Sequence, residues 1–319
     1  MRRRLSVINR VLAGVMTVTL LGGLAGCSHA GAATSHRSGH NGEVLSRTML
    51  TNAAIRASER LYRLYYWCGG QRVEAYLTVP TKVGRFPLLV ALHGGSAWHA
   101  PHSGFGETAA DAARAFTSRY VTLYPEYQGY MGSTGSVRGL HTDAMDTVCA
   151  IRAAEVTGRI QAHAVYLLGY SLGGGVALTV AGQLPEAVRA VVAVSPWVGM
   201  QEELPWLKHH AHPGTIFGHE LQGLTDTYGV FPSRAQLAAQ SPDLALLKAP
   251  VLLLQGTADT HVPYQVVEEF YRRMKTLGKV VRLIIFPGGH HGLHGPRSSG
   301  PAHDAIFRWL LHYGLPRAH

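Results

Sequence analysis

The chain reads as a single α/β domain: a doubly wound, mostly parallel sheet opened by an antiparallel hairpin and interrupted late by a helical lid. Three observations carry that reading. Continuous apolar runs of strand length recur at Phe86–Leu92, Ala164–Leu168, Val188–Val194 and Val251–Gln255. A strand buried on both faces needs such a run, because it has no solvent side on which to alternate. Stretches of helical period separate these runs, and regular alternation of the two builds a parallel sheet covered by helices. The stretch Ala164–Leu178 then passes from apolar strand through Gly169-Tyr170-Ser171-Leu172-Gly173 into a small-residue apolar helix. A turn that sharp needs glycines where a β-carbon would collide, and it lifts the serine hydroxyl above the sheet at a helix N-terminus.

Taken in order, the N-terminus is basic (Arg2-Arg3-Arg4), and Val11–Leu24 is uncharged and apolar but short of the roughly 20 residues of a comfortable span. With Leu24-Ala25-Gly26-Cys27 it fits a secretory signal ending in a lipobox. Residues 1–26 are therefore expected to be a signal peptide, with Cys27 lipidated and several acyl chains anchoring an exported protein to the membrane of the bacterial cell envelope. Removing Arg2, Arg3, Arg4 and Arg10 takes the formal charge from +10 to +6. A mildly basic protein on an anionic surface fits that setting, and with no Lys/Arg run interleaved with aromatics no nucleic-acid partner is expected. Residues 27–42, rich in Ser, Gly, Ala and His, read as a tether, and 43–319 as the catalytic domain.

Leu61–Trp67 and Arg72–Val79 flank Gly69-Gly70 and predict an antiparallel hairpin closed by Pro80. Helices are predicted over Glu107–Ser118, Asp143–Val156, Tyr264–Leu277 and Ala302–Tyr313, with further strands at Tyr120–Tyr124 and Val280–Phe286. Asp146 and Glu155 read as the solvated face of their helix, and neither Glu126 nor Asp143 is assigned a catalytic role. Cys68 falls in the hairpin and Cys149 in a mid-chain helix, so two buried free thiols are the expected state. Residues 198–247, about fifty without a clear strand, are an insertion of the length that serves as a lid. Its Trp206, Phe217 and Phe231 either pack the insertion's own core or line a pocket.

Loops after four predicted strands carry what acyl transfer requires. Ser171 is the nucleophile. Pro287-Gly-Gly-His-His-Gly-Leu293 offers a histidine, and Gly256-Thr-Ala-Asp259 offers a carboxylate to orient it. Oxyanion donors fall at the backbone N–H of Leu172 and in His93-Gly94-Gly95, where Gly95 is favoured over Gly94. The chain order Ser, Asp, His resembles that of the α/β-hydrolase superfamily. The same segments, with Val262-Pro263, more narrowly resemble the catalytic domain of the prolyl-oligopeptidase-like branch, which holds both peptidases and esterases. The resemblance spans roughly Leu61–Tyr313 and implies Ser171, Asp259 and His291 as the triad. His291 takes the family's histidine position, and His290 replaces a glycine. His93 resembles the smaller acyl-peptidase and esterase members rather than those with a tyrosine there, and Gln128-Gly129 stands where the family has Arg-Gly.

The expected activity is acyl hydrolysis with no cofactor and no metal, on a small ester or, alternatively, a short peptide. The resemblance favours an ester, because the family arginine is missing and little chain separates Cys27 from the hairpin, too little for a propeller domain. A zinc hydrolase is disfavoured although the chain has 19 histidines, since no His-Glu-x-x-His spacing occurs. A non-catalytic binding lipoprotein of this fold is disfavoured because all three triad types are kept.

Overall fold

The computed structural model describes residues 39–51, 55, 57–114 and 119–316. Cys27, the signal and most of the tether lie outside the described residues. Among the described residues nine strands form one sheet in the order β1-β2-β3-β5-β4-β6-β7-β8-β9. They are β1 (Val44–Leu50), β2 (Glu59–Cys68), β3 (Gln71–Pro80), β4 (Phe86–Leu92), β5 (Val121–Pro125), β6 (Ile160–Tyr170), β7 (Val188–Val194), β8 (Val251–Gly256) and β9 (Val281–Phe286). From β1 to the β3–β5 pair the pairing is antiparallel, and from β5 through β9 it is parallel. The architecture is the α/β-hydrolase fold.

Among the described residues the helices are α1 (Ala109–Arg114), α2 (Leu140–Glu155), α3 (Leu172–Gln183), α4 (Met200–His210), α5 (Ile216–Tyr228), α6 (Arg234–Ala239), α7 (Tyr264–Thr276) and α8 (Ser299–His312). None is long and apolar enough to cross a membrane. Alternate residues of the central strands feed two cores. Val165 and Leu167 of β6 join Val148, Val176, Val180, Phe270 and Met274 of α2, α3 and α7, while Ala164 and Tyr166 join Ile306 and Leu310 of α8. Burial on both faces explains why these strands read as unbroken apolar runs.

Four features depart from the sequence expectations. The strand β1 was not expected: its pattern is mostly exposed, so the edge position leaves no alternation to detect. The end of the expected tether is packed, with Gly42 N–H donating to Trp67 O and Asn41 Oδ1 accepting from Gly69 N–H. Cys68 and Cys149 form a disulfide instead of two free thiols, because the end of β2 lies against α2 and brings the two Cα atoms to 6.0 Å. Asp146 is fully buried rather than solvated. Its two oxygens accept from the backbone and side-chain N–H groups of Gln128, both at 2.8 Å. Burial pushes its carboxyl up to about 7 against the lowering effect of those bonds.

The insertion carries three helices, α4, α5 and α6, joined and followed by loops. Trp206 and Phe217 meet edge to face at 5.0 Å and pack, partly buried, against the main core rather than a separate one, whereas Phe231 is 88% exposed. The C-terminal end of α5 reaches the loop after β4, where Tyr228 Oη donates to Ala97 O and Thr227 Oγ1 accepts from His99 N–H.

Candidate active site

Register brings the site's loops to one level. Tyr170 of β6 pairs with Val194 of β7, Val194 with Leu254 of β8, and Leu254 with Ile284 of β9. On the other side Leu92, the last residue of β4, pairs with Gly169. The loops after these strands therefore leave the sheet from the same edge, at the carboxyl ends where open α/β sheets bind ligands.

Ser171 sits at φ 53° and ψ −125°, between β6 and α3. Its N–H donates to Val194 O, and its carbonyl accepts from Gly174 N–H and Trp197 N–H. The flanking glycines are required by close backbone approach: a Cβ on Gly169 would lie 2.0 Å from Gly173 O, and one on Gly173 would lie 2.3 Å from Leu92 O. Leu172 opens α3, so its N–H is one of the unpaired donors of a helix start. Gly94 abuts the serine, since a Cβ there would lie 3.1 Å from Ser171 Cβ.

The loop carrying Gly94 and Gly95 is braced from below. Tyr127 Oη donates to His93 O, Tyr130 Oη accepts from Ser96 N–H, and His93 Nδ1 lies 2.6 Å from Gly94 O. The buried His93 ring stacks on Tyr127 and has Nε2 3.3 Å from Glu126 Oε2. Burial works against the imidazolium of His93, but the charge and hydrogen bonding of Glu126 outweigh it and raise the pKa. Glu107, whose N–H donates to Glu126 Oε1, is itself pushed up to about 8, chiefly by burial.

Asp259 follows β8 and His291 follows β9. His291 Nδ1 lies 2.9 Å from Asp259 Oδ2 and 3.0 Å from Oδ1. Asp259 Oδ1 also accepts from the N–H groups of His261 and Val262, and Oδ2 accepts from Gln255 Nε2 at 3.1 Å. Burial alone would raise this carboxyl, yet the hydrogen bond and charge of His291, with the two backbone donors, hold it below its ordinary value. An ionised carboxylate only accepts, so the proton between them sits on His291 Nδ1. His290 is exposed and His294 lies beyond the short turn His291–Leu293.

The histidine loop is carried back across β8 toward the serine by a residue that the sequence did not single out. Gly292 N–H donates to Oγ of Ser195, a buried residue at φ 46° just after β7, and Ser195 N–H donates to Leu254 O. Ser195 thus joins the histidine loop to the strand end that also holds Ser171 N–H. The backbone of the acid and base loops is tied directly, through Ala258 N–H to Gly289 O and Gly288 N–H to Thr257 Oγ1.

A profile described as the prolyl oligopeptidase family matches residues 138–315, more than half of the chain and the whole of the stretch holding Ser171, Asp259 and His291. The chain belongs to the prolyl oligopeptidase family. The acylamino-acid-releasing enzyme of Homo sapiens is 29% identical over 230 residues, 67% of this chain and 30% of the relative. Acylamino-acid-releasing enzyme 1 of Oryza sativa subsp. japonica is 27% identical over 239 residues, 70% of this chain and 30% of the relative. The chain spans about a third of the length of these curated relatives. Among solved structures, a puromycin-hydrolyzing peptidase of Mycobacterium tuberculosis superposes with a TM-score of 0.65 at 20% identity, covering 82% of this chain and 41% of that one. Acetyl xylan esterase 1 from Thermoanaerobacterium superposes with 0.57 at 19% identity, covering 84% and 88%. These structural likenesses establish the shared α/β-hydrolase fold.

Sequence reasoning also missed His261, whose ring stacks on His291 with centroids 4.5 Å apart. Burial and the His291 charge hold its pKa down at about 4. Nothing local marks it, since it follows Asp259 in a loop where a polar residue is ordinary. The buried lid acids Glu203 and Glu220 were also not foreseen. Glu220 Oε1 accepts from Trp197 Nε1 at 2.9 Å, and both carboxyls are raised, chiefly by burial.

Proposed function

We propose that this family member hydrolyses carboxylic esters in two acyl-transfer steps, with Ser171 as nucleophile, His291 as base and Asp259 as the orienting acid. The observation that carries the reading is the His291–Asp259 pair, held beside the strained serine turn by the Ser195 bridge. His291 Nε2 takes the Ser171 proton as Oγ attacks the acyl carbon, and Asp259 stabilises the imidazolium that forms. The N–H groups of Leu172 and Gly95, with Gly94 the near alternative, receive the oxyanion at the positive end of α3. His291 then protonates the leaving alkoxide. Water, deprotonated by the same imidazole, releases the acid and restores Ser171.

An ester is favoured over a peptide by the place of Gln128. Its side chain is buried and bonded to Asp146, so that position offers no cation for a peptide carboxylate. The esterases among the structural neighbours align over most of their own length, in keeping with this reading. The curated relatives favour a second reading, release of an acylated amino acid from a peptide. Amide cleavage asks more of the site, because the amine leaves only when protonated in place. Steady-state rates on a short-chain aryl ester and a matched acyl-aminoacyl anilide separate the two. We expect kcat/KM to be higher for the ester; an anilide value equal or greater would make the peptidase reading the better one. Failure to hydrolyse either, with no labelling by a fluorophosphonate, would leave the binding-protein alternative.

The reading includes export and anchoring through Cys27. Cys27→Ser should release the protein from the membrane fraction or leave an unprocessed precursor. Unchanged attachment would count against lipidation.

A further inference from the structure

Beside the triad stands a third donor for which hydrolysis has no use. The backbone of His261 donates to Asp259 Oδ1 at 2.9 Å, and its ring lies on that of His291 with 26° between the planes. One donor atom each from Asp259, His261 and His291 lie within 4.8 Å of one another. Two imidazoles and a carboxylate are the donor set of open three-ligand zinc sites, where bonds of about 2.0–2.2 Å place neighbouring ligand atoms roughly 3.4 Å apart. Asp259 and His291 already stand closer than that, at 2.9 Å. Closing the set therefore asks for movement on the order of 1 Å, chiefly from the His261 ring. The carboxylate is supported from behind by Gln255 Nε2 and Val262 N–H, the kind of outer bonding that orients a metal ligand. The Asp259 side chain is fully buried and that of His291 is 11% exposed, so an ion reaches the set from the side of the partly exposed imidazoles.

We propose that Asp259, His261 and His291 form an inhibitory site for a zinc-like divalent transition-metal ion. Binding makes bonds from the metal to one nitrogen of each imidazole and to one carboxylate oxygen. Where His291 Nδ1 is the ligand, the neutral ring carries its one proton on Nε2, and where Nε2 is the ligand the metal occupies its lone pair; in both cases no lone pair is left for the Ser171 proton. A metal-bound His291 is withdrawn from the Ser171 proton, so turnover stops until the ion leaves. Soft and borderline ions that favour imidazole should act, and the hard oxygen-seeking Mg2+ and Ca2+ should not. The inhibitory consequence rests on the proposed role of His291; the binding itself stands on the donor geometry.

The test uses chelator-treated protein in a buffer that does not coordinate metal. Ester turnover should survive the chelator, fall with micromolar Zn2+, resist Mg2+ and return with EDTA. His261→Ala, compared with its own zinc-free rate, should need at least about tenfold more zinc for the same loss. His261→Phe keeps a ring against His291 but offers no donor, and it should match His261→Ala. Because other histidines of this chain also bind zinc weakly, calorimetry should compare Ser171→Ala with Ser171→Ala carrying His261→Ala. One tight site should be present in the first and missing in the second. That comparison needs no turnover, so a protein that hydrolyses nothing but keeps the tight site would fail the hydrolase reading alone. Equal zinc sensitivity in wild type and both His261 variants would overturn the proposal. So would activity lost to the chelator and restored by zinc, which would make the ion a resident cofactor.

Discussion

Ser171 occupies a backbone region that costs a non-glycine residue on the order of 1–3 kcal/mol. The hydrogen bonds from its N–H to Val194 and to its carbonyl from Gly174 and Trp197 over-determine that conformation. Its side chain makes no capping bond to α3, in keeping with the proposed role as nucleophile. Ser171→Ala should therefore abolish labelling by a fluorophosphonate and lower kcat by several orders of magnitude, with the fold intact by circular dichroism. His291→Ala should be about as damaging, because triad members act as a unit. His290→Ala, changing an exposed side chain away from Asp259, should cost little. The reverse ranking in steady-state assays would remove His291 from the base role.

The lid helices carry their own titration. Glu220 on α5 has its carboxyl raised by burial from the usual 4.5 to about 7, partly offset by the Trp197 hydrogen bond and increased by the charge of Asp259. Glu203 on α4 is raised well above its usual value, first by burial and then by Glu220. A folded-state pKa above the unfolded one means that the folded protein holds a proton which the unfolded chain releases. The stabilisation is full below about 4.5 and is lost as pH rises through about 7. Thermal midpoints should fall between those limits. Glu220→Gln, whose amide oxygen still accepts from Trp197 Nε1, should flatten the fall. An unchanged slope would show that Glu220 does not titrate in this range.

At the scale of the molecule, the Cys68–Cys149 bond staples the antiparallel part of the sheet to α2 across 81 residues. Closing a loop of that length in the unfolded chain is worth roughly 2–5 kcal/mol. Mass spectrometry of the oxidised protein should find neither thiol free. Reduction, or Cys149→Ser, should lower the thermal midpoint by several degrees while leaving the ester KM unchanged, since the bond lies away from the triad loops. A free thiol at Cys68 in the oxidised protein would refute the pairing. Such a bond persists in an oxidising compartment.

Periodicity and turn chemistry by themselves determined most of the architecture. The continuous apolar runs of β4, β6, β7 and β8 and the glycines around Ser171 are local consequences of burial on two faces and of a sharp turn. They place a serine, a carboxylate and a histidine at strand ends. What they do not encode is which distant groups meet. The edge strand β1 has no apolar alternation, and the burial of Asp146 depends on Gln128 approaching from the loop after β5. The Cys68–Cys149 bond depends on β2 lying against α2, and the stacking of His261 on His291 depends on two loops folding together. Ser195 becomes a bridge only because Gly292 is folded back over β8. A local pattern records how a segment buries its own surface; contacts between segments far apart in the chain are decided by the register of the sheet and the packing of its loops.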